Sequence, residues 1–135
     1  MNYKDNTLLI WKYLLPRLTS NENLTRYISE NKMFPLVAKS DTTYPFLIYK
    51  RDGISPRYSK SPNGGWTNNI TITVTIYSDN YPNSVYIANE VRDSLEFYSY
   101  EDDDIRIYPI ELISAFESFG DDMFMQQLSF NVSAV

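Results

Sequence analysis

The feature that most constrains the fold is the segment NNITITVTIYSD, residues 68–79, in which apolar and polar side chains alternate. Successive side chains of a β-strand point to opposite faces, so a period of two predicts a strand with two different faces. Branched and aromatic residues also favour strands, because they pack well on a pleated surface. The residues predicted to face the core are Ile70, Ile72, Val74 and Ile76, with Thr71, Thr73, Thr75 and Tyr77 on the other face.

A helix is predicted directly after this strand. Asp79 or Asn80 can cap its first turn, and Pro82 suits that turn because the amide it lacks would have no helical partner there. The helix is expected to end near Tyr98. Its predicted buried stripe is Val85, Ala88, Val91 and Leu95.

The rest of the chain supplies another main helix and several strands. Residues 5–19 have helical spacing, and four strands are predicted at 33–39, 45–50, 105–113 and 123–135. Prolines place the first and third of these strands at sheet edges, and the continuous apolar run of 45–50 predicts burial on both faces. The strands cluster between the helices without regular alternation. We therefore predict an α+β fold, with two main helices packed against a mostly antiparallel sheet.

Helical spacing also predicts which apolar residues of the first two helical segments face the core. The segment 21–31 is predicted to form a short second helix or a turn. The side chains expected to point inward from these two segments are Leu8, Trp11, Leu15, Leu18, Leu24, Tyr27 and Ile28.

The chain contains neither cysteine nor histidine among its 135 residues, a length suited to one domain spanning 1–135. Disulfides, thiolate zinc sites, cysteine nucleophiles and imidazole bases are therefore excluded. A carboxylate–metal site, a carboxylate pair or a lysine would remain for catalysis. We predict no catalytic residue, no metal and no cofactor. No apolar run approaches the length of a membrane span and no signal peptide is recognisable, so we expect no membrane partner.

The charges are unevenly distributed around a net charge of −5. Residues 39–60 are mainly basic, whereas residues 90–122 carry eleven acidic residues against Arg92 and Arg106. Two solvated loops would explain this pattern. A second interpretation is a pair of complementary patches through which copies of the chain associate head to tail.

Residues 51–67 are predicted to form a long flexible loop, because they contain two prolines and three glycines without a hydrophobic period. Basic and aromatic residues in this loop could contact nucleic acid, but arginine, tyrosine and tryptophan are also enriched in protein interfaces. Trp66 could anchor the loop to the body or be an exposed contact. The acidic run 101–104 could hold a hard cation or form a solvated turn.

The order of several segments resembles the phage tail-completion or tail-terminator family. These segments are TYPFLIYK, ITITVTIYSDN leading into the helix SVYIANEVRDSLEF, and the closing MFMQQLSFNVSAV. The resemblance implies a non-enzymatic virion protein, assembled in the host cytoplasm, that forms a ring, commonly hexameric. Such a ring caps the tail tube, contacts the tail-tube protein and the head connector, and lets DNA pass without specific binding.

The family supplies no residue-level signature, so the contact residues follow from charge and loop length. The residues predicted to form the subunit or tail interface are Lys50, Arg51, Arg57, Tyr58, Lys60, Trp66, Asp102, Asp103 and Asp104. Another head–tail connector or a protein-binding adaptor is the alternative function, and an enzyme with a carboxylate-bound metal is a third.

Overall fold

The computed structural model describes residues 4–58 and 66–135, with only the backbone described at residues 58 and 66. Within them, three helices and seven strands form an α+β fold, as predicted. The helices are α1 (Ile10–Thr19), α2 (Glu22–Thr25) and α3 (Tyr81–Leu95). The strands are β1 (Met33–Pro35), β2 (Phe46–Tyr58), β3 (Trp66–Ser78), β4 (Tyr100–Glu101), β5 (Arg106–Ile107), β6 (Glu111–Gly120) and β7 (Met123–Ala134).

The sheet has the order β1-β2-β3-β7-β5-β4, and β6 pairs with β7 off this path. Only β1 and β2 are parallel, and the other pairs are antiparallel. β5 lies beside the end of β7 at Ala134, whereas β6 lies beside residues 123–131. Among the described residues no helix combines the length and apolar composition needed to cross a membrane.

β3, which was predicted from its alternation, and β7, in which apolar and polar residues also alternate, form the centre of the sheet. Ile72 lies opposite Phe130 and Ile70 opposite Val132, and all four side chains are buried. They face α1 and α3, which supply Ile10, Leu14, Leu18, Ile87, Val91 and Leu95 to the same core. We call this side of the sheet the helix face and the opposite side the outer face.

The prediction that residues 51–67 form a loop is wrong for most of these residues. Residues 51–58 continue β2, and β3 already begins at residue 66, so the two strands form a long hairpin. A register shift between Arg51 and Gly53 leaves Asp52 as the extra residue of a bulge, and Gly53 pairs with Thr71. Pro56 is tolerated because, among the described residues, β2 pairs there with β3 alone. Residues 59–65 lie outside the described residues.

The helical segments form, but several inward positions are corrected. Thr7–Leu9 is a 3-10 turn preceding α1, and Leu8 is exposed because α1 buries the stripe of Ile10, Leu14 and Leu18 instead. In α2 and the turn after it, Leu24 and Ile28 are buried while Tyr27 is exposed. Trp11 and Leu15 are half-buried against the core.

α3 is capped by Asn80, whose side-chain oxygen accepts a hydrogen bond from the Asn83 amide at 3.0 Å. The helix ends at Leu95, earlier than predicted. Val91 and Leu95 are buried as expected, but Val85 is exposed because Ser84 and Ile87 face the sheet instead.

The remaining strands differ from their predicted bounds. The segment predicted as one strand at 105–113 splits into β5 and the start of β6, and the strand predicted at 33–39 ends at Pro35. β1 is an edge strand, as predicted. The prediction that 45–50 is buried on both faces is wrong, because only Leu47 is fully buried there and the outer face carries no helix layer.

Candidate functional site: the edges of the sheet

Three of the basic residues predicted for the interface lie on β2, and we call them the basic edge (Lys50, Arg51 and Arg57). Lys50 forms an ion pair with Asp52, with 3.2 Å between Nζ and Oδ1. Arg51 donates from Nη1 to the carbonyl oxygen of Leu8 at 2.6 Å. Arg57 is exposed. The basic edge therefore carries one cation already used for an internal hydrogen bond, one in a local ion pair, and one exposed near the hairpin end.

Three other residues were predicted for the interface: Tyr58, Lys60 and Trp66. The backbones of Tyr58 and Trp66 are paired in the β2–β3 register. Their side chains and the whole of Lys60 lie outside the described residues, so their part in an interface stays a prediction.

The acidic residues Asp102–Asp104 connect β4 to β5, and we call them the acidic turn. The Asp102 carboxylate accepts hydrogen bonds from the amides of Asp104 at 2.7 Å and Ile105 at 2.9 Å. The hydroxyl of Tyr100 donates to its other oxygen at 2.7 Å. These bonds fix the turn, while the Asp103 side chain remains exposed.

The same hydrogen bonds perturb two titrating groups. Donation by Tyr100, followed by donation from the Asp104 amide, lowers the pKa of Asp102, because these bonds favour the ionised carboxylate. The bond to Asp102 likewise raises the pKa of Tyr100 to about 12, because an ionised phenol would lose the proton it donates.

A groove of about 560 Å³ runs beside the acidic turn. Lys4, Lys12 and Arg106 line it together with the three aspartates. Lys12 also contributes to the lowered pKa of Asp102. Across the described residues, no three acidic side chains converge as metal ligands would. The groove is thus a shallow surface of mixed charge beside the turn.

Arg57 of the basic edge and the acidic turn lie at the same end of the sheet but on opposite lateral edges. One cross-strand row connects Pro56, Asn68, Ala134, Ile107 and Tyr100 in turn. Four strand spacings of about 4.8 Å separate the ends of this row, which gives a lateral distance of roughly 19 Å. This arrangement presents opposite charges on opposite sides of the subunit.

The outer face carries a hydrogen-bonded polar network that the sequence did not predict as buried. Thr73 is only 3% exposed, although it lies on the face without helices. Its hydroxyl donates to the Asp52 carboxylate and lies 3.2 Å from the Ser129 hydroxyl. The Thr73 side chain therefore links β3 to both β2 and β7.

The exposure of β6 is the feature that sequence reasoning missed most clearly. Leu112 is half-buried, and every other residue of this ten-residue strand is exposed. Ile113, Phe116 and Phe119 are 56%, 50% and 62% exposed. Their aromatic and branched character could have signalled an unusual surface strand, but the segment 114–119 has no clean period of two.

Comparisons with known proteins identify a shared fold. No protein-family model matches the sequence, and no curated protein does. A chain from the solved structure "Virion of native gene transfer agent (GTA) particle" superposes with a TM-score of 0.71. The alignment covers 90% of each chain at 12% sequence identity. At this identity the similarity shows that the two chains have the same fold.

Proposed function

We propose that this chain is a structural protein of a phage-type virion, which forms a ring that caps the tail tube and joins it to the head. The observation that carries the proposal is the fold shared along nearly the whole chain with a component of a gene transfer agent virion. The position at the end of a tail rests on the sequence resemblance to tail terminators.

The charge arrangement supports a closed ring. A ring requires heterologous contacts, in which two different surfaces of one subunit meet on neighbouring copies. The basic edge and the acidic turn lie on opposite lateral edges, so the basic edge of one copy can meet the acidic turn of the next. Opposite charges also favour the correct register over like-charged alternatives.

The remaining surfaces are compatible with a channel through which DNA passes. The outer face displays threonine, serine, asparagine and glutamine between β3 and β7, and its Lys50 is paired with Asp52. Uncharged hydroxyls and amides give little of the phosphate attraction that produces tight, nonspecific DNA binding. A net charge of −5 also disfavours tight binding to the phosphates of DNA.

Electron microscopy of the purified chain, alone and mixed with its tail-tube protein, tests the proposal. We expect rings that bind the ends of tubes and stop their growth. Binding to the portal side of the head instead would support the alternative of another head–tail connector. Binding to neither would contradict the proposal.

Charge reversal tests the assigned ring contact separately. Arg57→Glu and Asp103→Lys should each reduce ring formation at low salt, and the double variant should restore it, because each interface would again hold opposite charges. Arg26→Glu is the matched control, because the Arg26 side chain is also exposed but belongs to the helix layer. High salt should weaken the rings, since exposed ion pairs are screened. Rings that are indifferent to all of these changes would contradict the assignment.

A further inference from the structure

β6 is an edge strand without the usual protection. Within the described residues its sole strand partner is β7, so the backbone groups along its other edge have no partner strand. Natural sheets protect such edges with lysine, proline, bulges or a covering helix. β6 contains no lysine or proline, and its one bulge lies between Leu112 and Ser114. Residues 114–120 are therefore a regular, open strand edge.

The helix layer does not protect β6 either. α3 packs over β3 and β7. Phe116 lies beside Gln127 on the outer face, whereas Ala115 and Glu117 lie beside Leu128 and Gln126 on the helix face. An incoming strand would therefore meet side chains on both faces of β6.

We propose that β6 pairs antiparallel with β6 of a second copy of this chain, around a two-fold axis that passes beside Phe116 perpendicular to the sheet. In an antiparallel pair, opposite residues share a face, so a symmetric pairing must be centred on one residue. Centring on Phe116 places that phenyl ring opposite its own copy. It also places Ser114 opposite Ser118, and Phe119 next to the bulge that contains Ile113.

This register is self-complementary. Phe116 meets its own copy, Glu117 lies opposite Ala115, and Phe119 lies next to the bulge that contains the exposed Ile113. Cross-strand aromatic and aliphatic pairs are stabilising relative to alanine pairs. Each such contact occurs twice in the symmetric pair, except for the Phe116 contact on the axis.

The two neighbouring symmetric registers would form less favourable side-chain pairs. Centring on Ala115 would place Phe116 opposite Ser114 and Glu117 next to the bulge at Ile113. Centring on Glu117 would place that carboxylate directly opposite its own copy, which is destabilising. The sequence of β6 thus selects one symmetric register.

Glu117 is also held away from the proposed axis. Its carboxylate accepts hydrogen bonds from Tyr81 at 3.0 Å and Gln126 at 2.8 Å. Both donors belong to its own subunit, and Tyr81 lies in the first turn of α3. The two copies of Glu117 would still be diagonal neighbours. Added salt should therefore tighten this dimer or leave it unchanged, whereas the ring contact should weaken.

A single introduced cysteine tests the axis directly, because the chain has no cysteine of its own. Opposite residues of an antiparallel pair have Cα atoms about 4.5–5.5 Å apart, which is compatible with a disulfide. Phe116→Cys should therefore form a covalent dimer under mild oxidation. Ser118→Cys is the matched control, because Cys at that position would lie about 13 Å from its own copy along the strands.

Two further measurements complete the test. Sedimentation should show a dimer of the wild-type chain, and Phe116→Lys should raise its dissociation constant at least ~30-fold, with an unchanged circular dichroism spectrum. Combining Ser114→Cys with Ser118→Cys should restore cross-linking. A wild-type chain that stays monomeric, or equal cross-linking at 116 and 118, would overturn the proposal.

This dimer is independent of the proposed ring. Arg57→Glu should leave the Phe116→Cys cross-link unchanged while it reduces ring formation. Loss of the cross-link with intact rings would refute only the β6 pairing, and the converse result would refute only the ring contact.

Discussion

Arg51 connects strand β2 to the turn before α1, because its Nη1 donates a 2.6 Å hydrogen bond to the carbonyl oxygen of Leu8. Leu8 is 43 positions earlier in the chain, so the bond ties the start of the fold to the β2–β3 hairpin. A residue predicted from its charge to contact another chain thus has a structural role within its own subunit.

We therefore expect Arg51→Met to destabilise the subunit by about 1 kcal/mol, because a charged donor to a backbone oxygen is lost at an exposed site. Urea unfolding measures this change. Arg57→Met is the control and should change stability by less than about 0.5 kcal/mol. Equal effects of the two substitutions would show that the bond to Leu8 does not matter.

Phe130 is a fully buried aromatic residue on β7, opposite Ile72. Phe130→Ala should lower the free energy of unfolding by about 3–5 kcal/mol, because it removes apolar burial and leaves a cavity between sheet and helices. Phe97→Ala makes the same chemical change at a side chain that is 72% exposed and should cost less than about 1 kcal/mol. Thermal and urea unfolding of both variants would test the contrast.

The cap of α3 provides a third prediction, since the sequence left Asp79 and Asn80 as equal candidates. Asn80→Ala should cost about 1 kcal/mol, because the Asn83 amide would lose its acceptor. Asn80→Asp should retain most of the stability, and Asp79→Ala should have little effect. A larger loss at position 79 than at position 80 would contradict the assigned cap.

The Tyr100–Asp102 pair predicts a pH dependence on the acid side. The folded-state pKa of Asp102 is lowered, so its contribution to stability is present above the unfolded-state pKa and is lost as the pH falls through the folded value. Tyr100→Phe removes the first cause of this shift. We expect the pKa of Asp102 to rise towards its ordinary value, as measured by NMR titration of the carboxyl carbon.

Tyr81→Phe is the matched control, because the Tyr81 hydroxyl binds Glu117 instead. It should leave the Asp102 titration unchanged. On the alkaline side, the raised pKa of Tyr100 means that its contribution is present below about pH 10 and is lost as the pH rises through about 12. Absorbance titration of Tyr100→Phe should therefore lack one late tyrosine ionisation.

Local periodicity predicted the centre of the fold well. β3 shows period two, and its inward residues were predicted correctly as Ile70, Ile72, Val74 and Ile76. The start of α3 was also predictable, because a capping asparagine and a first-turn proline act within a few residues of each other. These features depend on neighbours in sequence.

The hairpin and the edges were harder to predict. Gly53 and Pro56 indicated a loop, but Gly53 pairs with Thr71 after a bulge at Asp52, and an edge position tolerates the proline. The exposure of Val85 depends on which side of α3 meets the sheet, and that choice is made by partners far along the chain. No pattern among residues close in sequence predicts either the hairpin or the exposure of Val85.

The sequence by itself determined that this chain has an α+β fold with two amphipathic central strands, because alternation and helix capping are local properties. It also determined that imidazole and thiol chemistry are absent. Only the tertiary structure decided which charges share one end of the sheet, which arginine is bound internally, and that β6 is left open. Strand order and register set these relationships, and they depend on contacts between residues distant in the chain.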